Sequence, residues 1–369
     1  MPPARDSLPL VSVIVPAFDA ATTLRETLES VRAQTHRGLE ILVVDDGSRD
    51  LTPAIAEAQA RADPRVRLIR QENGGVARAR NAALRQSRGA FAAWVDADDL
   101  WHPTKIERQL ATFSSATETP TLVYTGYRLI DGAGRIIPNF RPLTDVSGFT
   151  PCTQIATNFF TNVSSVMVPT ELALAAGGHD PALRDAGIEG AEDFLLQLRL
   201  ASRGPVLCCP AALVGYRMHD HNMSRDHARS ARSNFRAIDL VAAENPTIPP
   251  WVLRRARARV GGYAFHLLRA GRVREAAALL GTLLRHEPLE TIDATVRIAA
   301  EALFGTADSD PELGRSFAEA DPDSAIWEDH GLIGKATLRR LGEADAGCRA
   351  AADLAPPVRA AGQHSIVRR

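Results

Sequence analysis

Along the first hundred residues the spacing of apolar positions switches repeatedly between two periods. VSVIVPAF (11–18), LEILVVDD (39–46), VRLIRQ (66–71) and AFAAWVD (90–96) are short runs rich in β-branched and apolar residues, the pattern of buried strands. Between them, AATTLRETLESVRAQ (20–34) carries Leu24, Leu28 and Val31 at helical spacing. LTPAIAEAQARA (51–62) and GVARARNAALRQS (75–87) read as two more helices, the first with Pro53 in its opening turn. Strand and helix alternating through short connections predict right-handed βαβ units, hence an α/β fold with a mostly parallel sheet flanked by helices. In such sheets ligands gather at the carboxyl ends of the strands.

Beyond residue 100 the pattern changes. It predicts a helix over 103–114, strands over 121–130 and 134–138 around the turn DGAG, and a helix over 150–160. A strand at 164–168, a helix at 170–178, an amphipathic helix at 191–204 and two strands, VLCCP and ALVGYRM, follow. From about residue 226 the chain reads as helical, rich in Arg and Ala, with ENPTIPP (244–250) as a linker. This divides the chain into a tail (1–9), an α/β domain (10–226), a C-terminal helical subdomain (227–305) and a weakly patterned segment (306–369) expected to be partly disordered. Gly271, Ala276, Leu280 and Pro288 give one helical-hairpin signal, and one such unit does not make a solenoid.

Composition narrows the function classes. With 43 Lys and Arg against 44 Asp and Glu the net charge is −1, so nothing global points to nucleic acid. No stretch approaches the ~20 apolar residues of a membrane span, and MPPARDSLPL lacks the apolar core of a signal peptide. The spacing of Cys152, Cys208, Cys209 and Cys348 fits neither a zinc site nor a disulfide framework, and small-hydrophobe packing in a reducing compartment is the expectation. A cytoplasmic location follows. VLRRARARVGGYAFHLL (252–268) leaves open a peripheral contact with the inner face of a membrane, against ordinary packing on the α/β domain.

The candidate chemistry is acidic and sits at strand ends. WVDADD places Asp96, Asp98 and Asp99 just after a buried run. Their oxygens are hard ligands suited to Mg²⁺ or Mn²⁺, which would bridge a diphosphate. Alone, the cluster is better read as a solvated loop capping the next helix. Asp45 and Asp46 end the second strand, where a carboxylate suits a base N–H or a ribose hydroxyl; the competing reading is a turn and helix cap. Arg80 could reach inward from its helix, whereas Arg78 suits a solvated face. Glu192 and Asp193 open an amphipathic helix, as dipole-favoured first-turn acids or as a general base. His219 or His221 follows the last strand as a metal or phosphate contact or as a surface histidine.

In this order the segments resemble the family 2 glycosyltransferases of GT-A fold. ILVVDDGSRDLT matches the family's D-D-G-S-x-D-x-T segment, GVARARNAAL its G-x-x-x-A-R-N-x-x-L helix, and WVDADDLWHPTK its D-x-D-D segment with Trp101, Pro103 and Lys105. AEDFLLQLRLA matches the E-D helix and YRMHDHNMS the Y-R-x-H-x-x-N-x-S ending, so the likeness spans about residues 10–226. Asp19 and His179 stand where the family usually has Asn and Phe; His179 is expected to alter packing or the acceptor edge. The resemblance implies inverting transfer of a sugar from a nucleotide diphosphate donor, UDP first among them, to a glycan or lipid-linked acceptor in envelope or exopolysaccharide assembly. It implies that Pro16, Ala17 and Phe18 line the base pocket and that Asp45, Asp46, Arg80 and Asp96 serve the donor. Asp98 and His219 would hold a divalent cation (Mn²⁺ or Mg²⁺), and Asp193, or else Glu192, would be the base. The alternative is a noncatalytic nucleotide-sugar-binding or scaffold protein.

Overall fold

The structure is a computed structural model and describes residues 8–139, 145–160, 162–220, 222–288, 291–292, 310–324 and 335–354. The four expected strands form as β1 (Val11–Ala17), β2 (Leu39–Asp45), β3 (Val66–Arg70) and β4 (Phe91–Trp94). Every residue of β1 and β2 is buried, which is why both read as continuous apolar runs: a central parallel strand is covered on both faces. Helices α1 (Leu24–Arg32), α2 (Thr52–Ala62) and α3 (Val76–Leu84) provide that cover.

The sheet has eight strands in the order β3-β2-β1-β4-β7-β6-β8-β5, adding β5 (Leu100–Trp101), β6 (Leu122–Ile130), β7 (Val166–Pro169) and β8 (Val206–Arg217). The first four strands are parallel, as the alternation predicts, but β7 runs antiparallel to both neighbours and β5 antiparallel to β8. The sheet is therefore mixed, with β1 to β4 as its parallel half. Parallel register puts Ala17 beside Asp45 and Ile14 beside Trp94, so the loops after β1, β2 and β4 open on one edge.

Local differences from the pattern have local causes. Strand β5 is two residues long, too short for any periodicity. The two expected C-terminal strands are one, β8, whose pairing with β6 shifts register around Gly126. Exposed Pro210, which has no N–H to give the ladder, interrupts the apolar run without ending the strand. Residues 134–138 form only isolated bridges, Ile130 to Ile136 and Arg135 to Ser316.

Helices α4 (Lys105–Ser114), α5 (Pro151–Thr157), α6 (Thr170–Ala175), α7 (Ala182–Asp185) and α8 (Glu192–Ala201) complete the α/β part. Then come α9 (His227–Glu244), α10 (Pro250–Val260), α11 (Gly262–Arg269), α12 (Val273–His286) and α13 (Lys335–Leu354). Val252, Ala256 and Val260 share a core with Leu195 and Leu198 of α8, and Ala264 and Leu267 pack with Ala228 and Ala276. The apolar stripe of 252–268 thus faces protein. Among the described residues no helix is long and apolar enough to cross a membrane.

The segment 306–369 contributes structure its weak pattern does not announce. Phe317 is buried with Leu100, Ile130 and Ile136, and the Arg128 guanidinium donates to Asp310, to the Asp321 carbonyl and to Ser324. This covers the β8–β5 edge, which would otherwise present open ladder groups. Helix α13 docks on α5 through fully buried Leu341 and through Asp345. The remainder of 306–369 lies outside the described residues.

Candidate active site

The three carboxylates after β4 differ in what they hold. Asp99 is fully buried; it accepts from the Ser164 hydroxyl at 2.5 Å and from the Arg217 amide at 3.0 Å. Burial, with Asp98 and Asp96 close by, pushes its carboxyl well above the usual carboxylate range. The Ala97 carbonyl accepts from Thr27, and the Arg217 guanidinium, 1% exposed, donates to the carbonyls of Asp98, Asp131 and Gly132 and to Glu26. The loop is thereby pinned from both sides, leaving the carboxylates of Asp96 and Asp98 partly open at 32% and 26% exposure.

At the end of β1, Pro16 and Ala17 are buried and half-exposed Phe18 follows them. Asp45, buried at the end of β2, accepts from the Ser48 amide at 3.1 Å. Asp46 serves the loop itself, its oxygens accepting from Gln71 Nε2 (2.6 Å), the Gly74 amide (2.9 Å) and the Gly75 amide (2.7 Å). It fixes the turn into α3, where Gly75 has φ +89 and a Cβ would collide with Arg184. Of these two consecutive buried acids, Asp46 is thus committed to the loop through both oxygens, while Asp45 accepts from the Ser48 amide through Oδ1. Asp19 sits at φ 46 and accepts from the Arg49 amide, tying the loop after β1 to the loop after β2.

Arg80 links the acids after β4 to those that open α8. Its guanidinium is 5% exposed and donates to Asp96 Oδ1 at 2.6 Å. Burial works against its charge, but Asp96, Asp193 and Glu192 around it outweigh that and raise its pKa above the ordinary arginine value. Glu192 is buried and accepts from the Gly190 amide at 2.8 Å. Asp193 accepts from the Phe194 amide at 2.7 Å, the first-turn amide any helix leaves unpaired. Burial raises the pKa of Asp193, Arg80 opposing, and burial likewise raises that of Glu192. A carboxyl raised in this way is a better proton acceptor than an ordinary surface aspartate.

Asp98 Oδ2 and His219 Nε2 lie 2.8 Å apart. The pair supplies one hard oxygen and one imidazole nitrogen, a donor set that fits Mn²⁺ or Mg²⁺ with the other positions left to diphosphate oxygens and water. Among the described residues no cluster of three or more His, Cys, Asp or Glu could hold a metal alone. The Asn222 side chain accepts from the His219 amide and donates to the Arg217 carbonyl, tying the end of β8 to His219. His221 lies outside the described residues. His179, distant in sequence, is fully buried, edge-on to Trp94 with centroids 5.2 Å apart, and burial holds it well below the usual histidine range. It belongs to packing.

Sequence reasoning missed Ser164, Thr27, Glu26 and Arg217, which shape the loop without entering it. An arginine flanked by apolar strand residues, as Arg217 is after ALVGY, was the available signal: such a charge is buried only when fully partnered.

Residues 12–135 match the family model described as glycosyl transferase family 2. That segment is similar to a family 2 glycosyltransferase domain. The family 2 match holds Asp45, Arg80, Asp96 and Asp98, whereas Glu192, Asp193 and His219 fall beyond it. Among curated relatives, an uncharacterized glycosyltransferase of Rickettsia bellii is 36% identical over 134 residues, 36% of this chain and 19% of that protein. One of Rickettsia typhi is 38% identical over 123 residues, 33% of this chain and 38% of its own. A Bacillus subtilis protein provisionally named the teichuronic acid biosynthesis glycosyltransferase TuaG is 36% identical over 133 residues, 36% of this chain and 52% of its own. The chain spans between about a fifth and about two fifths of the length of the first of these relatives.

Among solved structures, S. aureus TarS 1-349 in complex with UDP-GlcNAc superposes with TM-score 0.53 at 20% identity, covering 86% of this chain and 99% of that one. The mannosyltransferase PcManGT of Pyrobaculum calidifontis, in complex with GDP-Man and Mn²⁺, gives 0.52 at 20% identity, covering 94% and 87%. At such identity these two establish the GT-A fold of the family 2 domain.

Proposed function

We propose that the protein transfers a sugar from a nucleotide diphosphate donor to an acceptor hydroxyl in cell-envelope glycan assembly, with inversion at the anomeric carbon. The observation that carries this reading is the placement of Arg80: one buried guanidinium is hydrogen-bonded to Asp96 and lies within the electrostatic reach of Asp193 and Glu192. Donor and acceptor chemistry thus converge on a single point.

In this reading Phe18 and Asp45 receive the nucleobase and Asp96 the ribose or the donor sugar, with Pro16 and Ala17 shaping the strand end beneath. Asp193 accepts the acceptor's hydroxyl proton as the new bond forms. Glu192, tied to the Gly190 amide, holds the loop that aims Asp193. A single displacement inverts the centre and requires no protein nucleophile. Asp98 and His219 would hold a divalent cation, which when bound offsets the charge of the departing diphosphate. UDP is the first nucleotide to test, since TarS carries UDP-GlcNAc, and GDP the second, since PcManGT carries GDP-Man. The TuaG likeness supports an envelope glycan as the acceptor class, lipid-linked or polymeric. A cytoplasmic location accords with four free cysteines among the described residues.

Thermal stability against UDP, GDP and dTDP, with and without Mn²⁺, tests the donor half. Ligand at 100 times its dissociation constant adds about 2.7 kcal/mol, a shift of several degrees. Release of nucleotide diphosphate from the matching sugar donor tests the transfer. Nucleotide binding with neither hydrolysis nor transfer would overturn the enzymatic reading in favour of a noncatalytic nucleotide-sugar-binding protein.

A further inference from the structure

Helix α13 meets α5 along one face at two points one turn apart. At the first, Asp345 accepts from the amides of Cys152 (2.6 Å) and Thr153 (3.3 Å) and from the Thr153 hydroxyl (2.6 Å). A carboxylate of one helix thereby caps the amino end of another and fixes their relative register. At the second, Cys348, three residues on, brings its sulfur to 3.6 Å from that of Cys152. The two cysteines are 0% and 4% exposed and 196 residues apart in sequence. We propose that Cys152 and Cys348 are a disulfide-forming pair, a modification site that staples α13 to α5 when hydrogen peroxide reaches it.

Bond formation requires the sulfurs to close by roughly 1.5 Å, to the ~2.05 Å of a disulfide. Asp345 holds the helices aligned for that closure. The two thiols are also unequal. The hydrogen bond from Cys152 lowers the Cys348 thiol to about 7 despite burial, and the same contact raises Cys152. Cys348 is therefore the thiolate that attacks the peroxide oxygen. The O–O bond breaks, water leaves and Cys348 becomes a sulfenic acid. Cys152 sulfur then attacks the Cys348 sulfur, the S–S bond forms, and the sulfenic oxygen departs as a second water with the Cys152 proton. Two thiols and one peroxide give one disulfide and two waters. Because both sulfurs are buried, local opening of α13 sets the rate of entry. Cys208 and Cys209 provide an internal contrast: both are buried, and burial pushes both thiols up, so neither competes. The inference stands apart from the transferase reading.

The full chain is treated with hydrogen peroxide, denatured, blocked with N-ethylmaleimide and mapped by mass spectrometry. The expected result is two blocked thiols of the four present, a peptide joining Cys152 to Cys348, and a Tm raised by several degrees through closure of the long loop, all reversed by dithiothreitol. Cys152→Ala should abolish the link and leave Cys348 trapped by dimedone as a sulfenic acid. Four blocked thiols, a bridge through Cys208 or Cys209, or Cys348 oxidised to sulfinic acid while Cys152 stays free would each overturn the proposal. The wild-type map decides even where the variant does not fold.

Discussion

Neighbouring aspartates after β4 differ more from each other than their letters suggest. Asp99→Ala strands the Ser164 hydroxyl and the Arg217 amide in a fully buried setting. It should cost about 2–4 kcal/mol, a fall in Tm of roughly 5–10 °C by differential scanning fluorimetry. Asp98→Ala removes an open carboxylate and should leave Tm nearly unchanged while abolishing the Mn²⁺-dependent part of nucleotide stabilisation. An equal loss of Tm in both variants would contradict this division. Asp193→Asn should lower kcat by about 10²–10⁴ with nucleotide binding intact. Because burial raises the Asp193 pKa, the acid limb of the wild-type kcat/KM profile should lie above the usual aspartate range, where protonation removes the base. A profile flat down to pH 4 would assign the proton to another group.

The elements were legible in the sequence wherever packing imposes a period. Strands β1 and β2, buried on both faces, and helix α1, with Leu24, Leu28 and Val31 buried, stand where the pattern puts them. Acidic residues at strand ends were legible too, because the topology itself puts ligands there. What the pattern hides is contact between distant segments. Antiparallel β7 depends on long-range pairing, and α13 meets α5 through Leu341, Asp345 and Cys348 rather than by a strong stripe. The separate duties of Asp45 and Asp46 depend on a loop that closes over one of them. That α13 contact also has a pH signature. Burial pushes Asp345 up to about 6 in the fold, against about 3.9 in the unfolded chain. The native state therefore binds this proton more tightly, and its stabilising effect, present below pH 4, is lost as pH rises through 6, about 3 kcal/mol in all. Asp345→Asn should remove that slope, so its stability relative to wild type should improve between pH 4.5 and 7 in urea titrations. A constant difference would place the titration elsewhere.

For the molecule as a whole, late segments complete early ones. Phe317 seals a small core with Leu100, Ile130 and Ile136, and its ring would press on any side chain placed at Gly215. Phe317→Ala should cost about 3–5 kcal/mol and, by loosening the cover of the β8–β5 edge, increase self-association measured by light scattering. Unchanged stability would mean that this edge protects itself.

The division of the site between two stretches of chain has a consequence for how such a protein can be altered. Asp45, Arg80, Asp96 and Asp98 lie in the first 135 residues, and Glu192, Asp193 and His219 in the next hundred, with the Arg80 guanidinium and the Asp98–His219 contact as bridges between them. Under the proposed roles acceptor preference is open to grafting: a foreign loop and helix set in place of residues 182–201 must return one carboxylate to the vicinity of Arg80, the Arg184 contact to Asn73 and the core packing of Leu196 and Leu200.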